Sequence, residues 1–203
     1  MRRTLSSVLI FSVLMFFSPA SVFADTTIQP STGTSGFISF AYNTSQTNDA
    51  QSFKATQGGT ISSIIITTNK VGSPTGTLTV AIEADSAGAP SNTAIQSGTV
   101  SIASLSTFSG GVCSGTKTIT LASPVTVTNG TTYWVTFRPN NTLDATNYLV
   151  GCGSSPSSYA DGTEAYSTSG NSWTTENVDI NLTLTIVNAA VSVSPTFQAP
   201  FWW

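Results

Sequence analysis

The sequence contains no histidine. Ser-His-Asp and Cys-His mechanisms are thereby excluded, because each needs an imidazole to take the nucleophile's proton. Charge is almost as scarce. Only 7% of the residues are Asp, Glu, Lys or Arg, too few for the clustered cations that hold a phosphate backbone, so nucleic acid is not an expected partner. Cysteine is limited to Cys113 and Cys152, a poor metal set with no third thiol and no imidazole to join them. No ten-residue window carries an amphipathic helical period, which points away from α and mixed classes. Gly58-Gly59 and Gly110-Gly111 precede neither a helix nor a P-loop lysine, so no phosphate cradle is expected.

The first 24 residues have the layout of a secretory signal peptide. Arg2-Arg3 precede an apolar run from Val8 to Phe17, and small or apolar residues follow at Val22-Phe23-Ala24. The run is too short and too early for a membrane span. The mature chain would begin at Asp25, with no later segment apolar enough to cross a bilayer. Lys54, Lys70, Lys117 and Arg138 then stand against all nine acids, and Ser, Thr and Asn must supply solubility, as in many extracellular β modules. Two cysteines in an exported chain are most simply read as one disulfide. Closing a loop of roughly 40 residues would stabilise the fold by about 4 kcal/mol in the chain-entropy model. A pair of free thiols is the alternative.

What is abundant is period-two alternation. Between Lys117 and Arg138, apolar and hydroxyl residues alternate in three runs, interrupted by Ser123-Pro124 and Asn129-Gly130. Proline cannot donate to a ladder, so Pro124 is expected to end one strand, and Asn-Gly suits a tight hairpin between the next two. Further strands are expected over Gly36 to Tyr42, Gln51 to Thr56, Thr60 to Thr68, Leu78 to Asp85, a short piece at Val100 and Ile102, Tyr148 to Cys152, and Val178 to Val187. The unbroken Ile64-Ile65-Ile66 suggests a central strand covered on both faces. Gly153 to Asn177 is irregular, with at most short strands near Tyr166 and Trp173. About ten short strands predict an all-β fold, a two-sheet antiparallel β-sandwich of jelly-roll type. Residues 25–35 read as a lead-in, 36–188 as the sandwich domain and 189–203 as a tail dispensable for folding.

Four runs together resemble the bacterial choice-of-anchor extracellular domains, closest in type to choice-of-anchor R. They are S-F-K-A-T-Q-G-G-T-I-S-S-I-I-I from Ser52, V-G-S-P-T-G-T-L-T-V-A-I-E-A-D from Val71, A-G-A-P-S-N-T-A-I from Ala87 and S-P-V-T-V-T-N-G-T-T-Y-W-V-T-F from Ser123. The resemblance spans roughly Phe37 to Val187. It implies a secreted sandwich displayed at or near the bacterial surface, with no catalytic residues to carry over. The sorting signal that accompanies such domains is not visible after Val187. The chain is then truncated, released, or held non-covalently.

Candidate sites are few. Glu83 and Asp85 share one strand face, where a two-carboxylate glycosidase is formally possible and plain solvated charge is the simpler reading. Asp161, Glu164 and Asp179, with Asp144 nearby, could supply hard oxygens to a structural Ca²⁺, although no D-x-D-x-D-G loop is present; dispersed surface acids are the alternative, and no other cofactor is expected. Phe37, Phe53, Tyr133 and Phe137 fit a core. Of Tyr148, Tyr159, Tyr166 and Trp173, three fall in or beside the irregular segment; the four are candidates for stacking on sugar rings, with capping of the open end of the core the alternative for Trp173. Three classes follow: a noncatalytic surface module for adhesion, display or spacing; a carbohydrate-binding module for envelope or environmental polysaccharide; and a fibre subunit in which residues 25–35 or 192–203 add to a neighbour's open sheet edge. An enzyme is not expected.

Overall fold

The structure, a computed structural model, describes residues 24–38, 47–140 and 144–188, with side chains from 47 onward and for 24–35. The expected signal peptide (save Ala24), Phe40 and Tyr42, and the tail from 189 lie outside the described residues, as does the side chain of Phe37. Among the described residues fourteen strands are present: β1 (Thr26–Ile28), β2 (Ser35–Ile38), β3 (Asn48–Lys54), β4 (Gly59–Ile66), β5 (Thr68–Val71), β6 (Thr77–Asp85), β7 (Pro90–Ser101), β8 (Lys117–Val127), β9 (Thr132–Pro139), β10 (Tyr148–Ser154), β11 (Glu164–Ser167), β12 (Trp173–Glu176), β13 (Asp179–Ile180) and β14 (Leu182–Ile186). Among the described residues the one helical element is a single 3₁₀ turn at Ile102–Ser104. None is a helix long and apolar enough to cross a membrane.

The strands form an antiparallel β-sandwich. One layer is a six-stranded sheet in the order β12-β11-β3-β9-β6-β7. Facing it are β1-β14-β4-β8 and a smaller sheet built around β10, which pairs with β13, β2 and β5. These two adjoin where Thr67 N–H donates to Asn181 O and Asn181 N–H donates to Cys152 O. Between the layers lies one apolar core. It takes Phe53, Leu78, Val80, Ile82, Val135 and Phe137 from the first layer, and Ile61, Ile64, Ile66, Ile119, Leu182, Leu184 and Ile186 from the second. Every second residue of these strands faces inward, as their pleat requires. At Gly98 the edge of β7 crosses β8 so closely that an added Cβ would lie 2.2 Å from the Thr120 carbonyl oxygen; only glycine lets the two layers meet there.

Several local expectations change. Pro124 does not end a strand. β8 runs through it as a sheet edge, and its register against β4 slips between Ile61 and Ser63, so the missing N–H falls where the ladder is already interrupted. Asn129-Gly130 does not close a hairpin, since β8 and β9 lie in different layers. Thr131 N–H donates to Thr128 O, and positive φ occurs only at the third turn residue, Gly130 at 79°. That is type II geometry, which does not carry the twist of paired strands. The true two-residue hairpin turn is Ala87-Gly88, with φ of 54° and 83°. It joins β6 to β7, which runs much longer than the short strand expected at Val100. β4 is interior to its sheet, yet Ile65 is exposed, so the isoleucine run alternates after all. Within the lead-in a strand forms: β1 pairs with β14 of its own chain, so residues 26–28 are already committed within it.

Candidate functional site

The inward face of the six-stranded sheet packs the core; the outward face is where its polar chemistry collects. Alternation puts Glu83 and Asp85 of β6 and Trp134, Thr136 and Arg138 of β9 on that outward face, with Glu83 directly opposite Trp134 in register. An outward strand face is usually wet. Here it is covered, and Trp134 is 1% exposed. Two bulges, between Ile82 and Glu83 and between Glu83 and Asp85, distort the start of β7 and bring Asn92, at φ 61°, over the sheet. From the opposite edge Trp173 of β12 packs onto Trp134, Ala50 and Ala165.

These two edges are tied together across the face. Trp173 Nε1 donates to Asn92 Oδ1 at 2.9 Å, Asn92 Nδ2 donates to Asn171 O at 3.3 Å, and Arg138 Nη1 donates to Gly170 O at 3.0 Å. Arg138 is the hub. Its Nη2 donates to Glu83 Oε1 at 2.9 Å and to Asn92 Oδ1 at 3.2 Å, and its guanidinium carbon lies 5.2 Å from the Trp173 ring centroid. Glu83 Oε1 also accepts from the Thr136 hydroxyl, and Trp134 Nε1 donates to Asp85 Oδ1 at 2.8 Å. The expectation that Glu83 is a solvated surface charge is therefore corrected: it is 1% exposed and ion-paired, because the bulged start of β7 and the β11–β12 hairpin roof its face. Asp85 remains exposed.

A second carboxyl pair lies on the inward face. Asp49 of β3 and Glu164 of β11 are diagonal neighbours across their ladder, both with no exposed surface. Burial is the main cause that pushes Asp49 up to about 6 and Glu164 up to about 12, and the Glu176 charge adds to both. A hydrogen bond between the two carboxyls lowers Asp49 and raises Glu164. One proton shared between them is the arrangement this favours, Glu164 donating and Asp49 accepting.

The Ca²⁺ candidates are not brought together. Glu164 is engaged with Asp49, and Asp179 accepts from the Ser157 hydroxyl and from the Ser158 and Tyr159 N–H groups. Asp161 is exposed, and Asp144 caps its own loop by accepting from Thr146 and Asn147, which lowers it to about 2. Among the described residues no three acidic or cysteine side chains converge. The four aromatics are equally dispersed. Tyr148 packs beside the Cys113–Cys152 bridge, Tyr159 against the main core with its hydroxyl pushed up by burial, and Tyr166 stands on the inward side of β11. Only Trp173 belongs to the outward face. Cys113 and Cys152 are disulfide-bonded, with Cα atoms 6.1 Å apart. The sequence matches no protein-family model and no curated protein.

Proposed function

We propose that the chain is a noncatalytic extracellular β-sandwich module, exported and displayed at or near the cell surface, where it serves adhesion, display or spacing. The buried Cys113–Cys152 bridge carries this reading, since such a bond persists in oxidising compartments and is rare where thiols are kept reduced. The hydroxyl-rich, charge-poor surface and the choice-of-anchor resemblance support it. The buried carboxyls are already committed to the fold: Glu83 to Arg138, Asp179 to three donors, Asp49 to Glu164. The test is to express the full chain from residue 1 in a bacterial host and treat intact cells with protease and a membrane-impermeant label. The module should be accessible, and non-reducing peptide mapping should link its two cysteines. Recovery from the cytoplasm with both cysteines alkylated would overturn the proposal.

A glycan-binding role has one observation in its favour. The Trp173 ring is half-buried and bordered by the polar groups of Asn92 and Arg138, the composition of a sugar-stacking position. Trp173→Ala should then abolish retention on insoluble polysaccharide while costing little stability. If the variant instead loses roughly 3 to 5 kcal/mol in chemical denaturation, as for a buried large aromatic, Trp173 is a structural clamp and the glycan reading fails.

A further inference from the structure

The β11–β12 hairpin is an edge element. Its ladder to the rest of the six-stranded sheet is that of β11 on β3, four register pairs from Glu164↔Gln51 to Ser167↔Asn48. On the inward face the carboxyls of Asp49 and Glu164 straddle this ladder, and three of their buried oxygens, Asp49 Oδ2 and both of Glu164, meet no donor from the surrounding protein. A buried polar atom without a partner is costly and a buried unpaired charge more so. The surrounding elements do not supply compensation. Glu176 of β12, opposite Glu164, adds negative charge. Tyr166 of β11 stands opposite Asp49. Arg138 of β9 projects from the other face of the sheet into Glu83, Lys54 at the end of β3 is exposed, and Asp179 of β13 is held by its own loop. A proton between the two carboxyls satisfies two of the three, one Glu164 oxygen becoming a donor while Asp49 Oδ2 accepts. On its outward face the same hairpin carries Trp173, Gly170 and Asn171, the groups bonded to Asn92 and Arg138.

We propose that the β11–β12 hairpin is a proton-latched flap: the proton shared by Asp49 and Glu164 holds it on β3, and opening the hairpin frees that proton together with Trp173 and the bonds that close the outward face. The sign follows from linkage. The docked hairpin binds a proton that the opened one, with its carboxyls in water, releases above the ordinary carboxylate range, so docking is strongest in acid and weakens as pH rises.

Hydrogen exchange of the full chain between pH 5 and 9, corrected for the intrinsic rate, reads this directly. Protection of Ala165, Tyr166 and Ser167 should fall by up to about tenfold per pH unit for one linked proton, while β6 and β9 keep theirs. Glu164→Gln gives Asp49 an amide donor that does not titrate and should flatten the slope. Asp49→Asn gives Glu164 an amide partner and removes one of the two like charges, and should reduce the slope as well. Hairpin protection that parallels β6 and β9 at every pH overturns the proposal, and so does a slope unchanged in both variants. Should both variants fail to fold, the wild-type pH series decides alone.

Discussion

Arg138→Ala is expected to destabilise the protein by about 3 kcal/mol at pH 7, the lower end of the range for removing one partner of a buried ion pair. The asymmetry of the pair sets the figure. The Glu83 side chain is 2% exposed and the Arg138 side chain 27%, so the carboxylate is stranded out of water while the lost guanidinium was partly hydrated. Glu83 Oε2 already lacks a donor. After the substitution Oε1 keeps only the Thr136 hydroxyl, too little for a buried charge. For a chain of this size the melting midpoint should fall by about 5 to 10 °C. Glu83→Gln should recover part of the loss when combined with Arg138→Ala, because the stranded charge is then removed. A penalty below about 1 kcal/mol would show that the pair is a surface ornament and that the outward face is held by Trp173 packing alone.

How far the sequence declares this fold depends on whether a feature is local. Leu78, Val80 and Ile82, or Leu182, Leu184 and Ile186, announce their strands because period-two alternation is a property of consecutive residues. The all-β class and the cysteine pairing followed from the same kind of reading. Asn129-Gly130 misled because the dipeptide is equally content in a type II turn, and which turn forms is decided by whether the flanking strands share a sheet. Glu83 misled for a related reason: alternation places it on the outward face correctly, but the roof over that face comes from Asn92 and Trp173, distant in sequence. Asp49 is not legible as part of its strand: Asp49, Gln51 and Phe53 sit at spacing two, yet a charged residue at that spacing reads as a strand end until its partner, more than a hundred residues on, is known. The dispersal of Tyr148, Tyr159, Tyr166 and Trp173 is likewise a matter of topology, since residues close in sequence on β10, β11 and β12 fall on different faces and in different layers.

Removing the disulfide should carry the largest cost of any change outside the core. The Cys113–Cys152 bridge closes a sequence separation of 39, for which the chain-entropy model gives about 4 kcal/mol. Its location says which part of the structure depends on it. Cys152 lies in β10, fully buried, and Cys113 sits in the long connection between the 3₁₀ turn and β8, whose other ties are few. At one end Lys70 N–H donates to Ser106 O and Phe108 N–H donates to Lys70 O, at the other Cys113 N–H donates to Thr34 O, and Val71, Phe108 and Tyr148 pack around the sulfurs. Cutting the bridge therefore loosens this connection against β5 and β10 before it touches the main core. Cys113→Ala with Cys152→Ala should lower the melting midpoint by on the order of 10 °C, and hydrogen exchange should show the loss first at residues 106–116 and along β5. Reductant should reproduce the effect on the wild type and leave the double variant unchanged. A midpoint that stays within a degree or two after reduction would mean that the connection is held by its backbone bonds and by Phe108, and that the bridge contributes nothing to the stability of the sandwich.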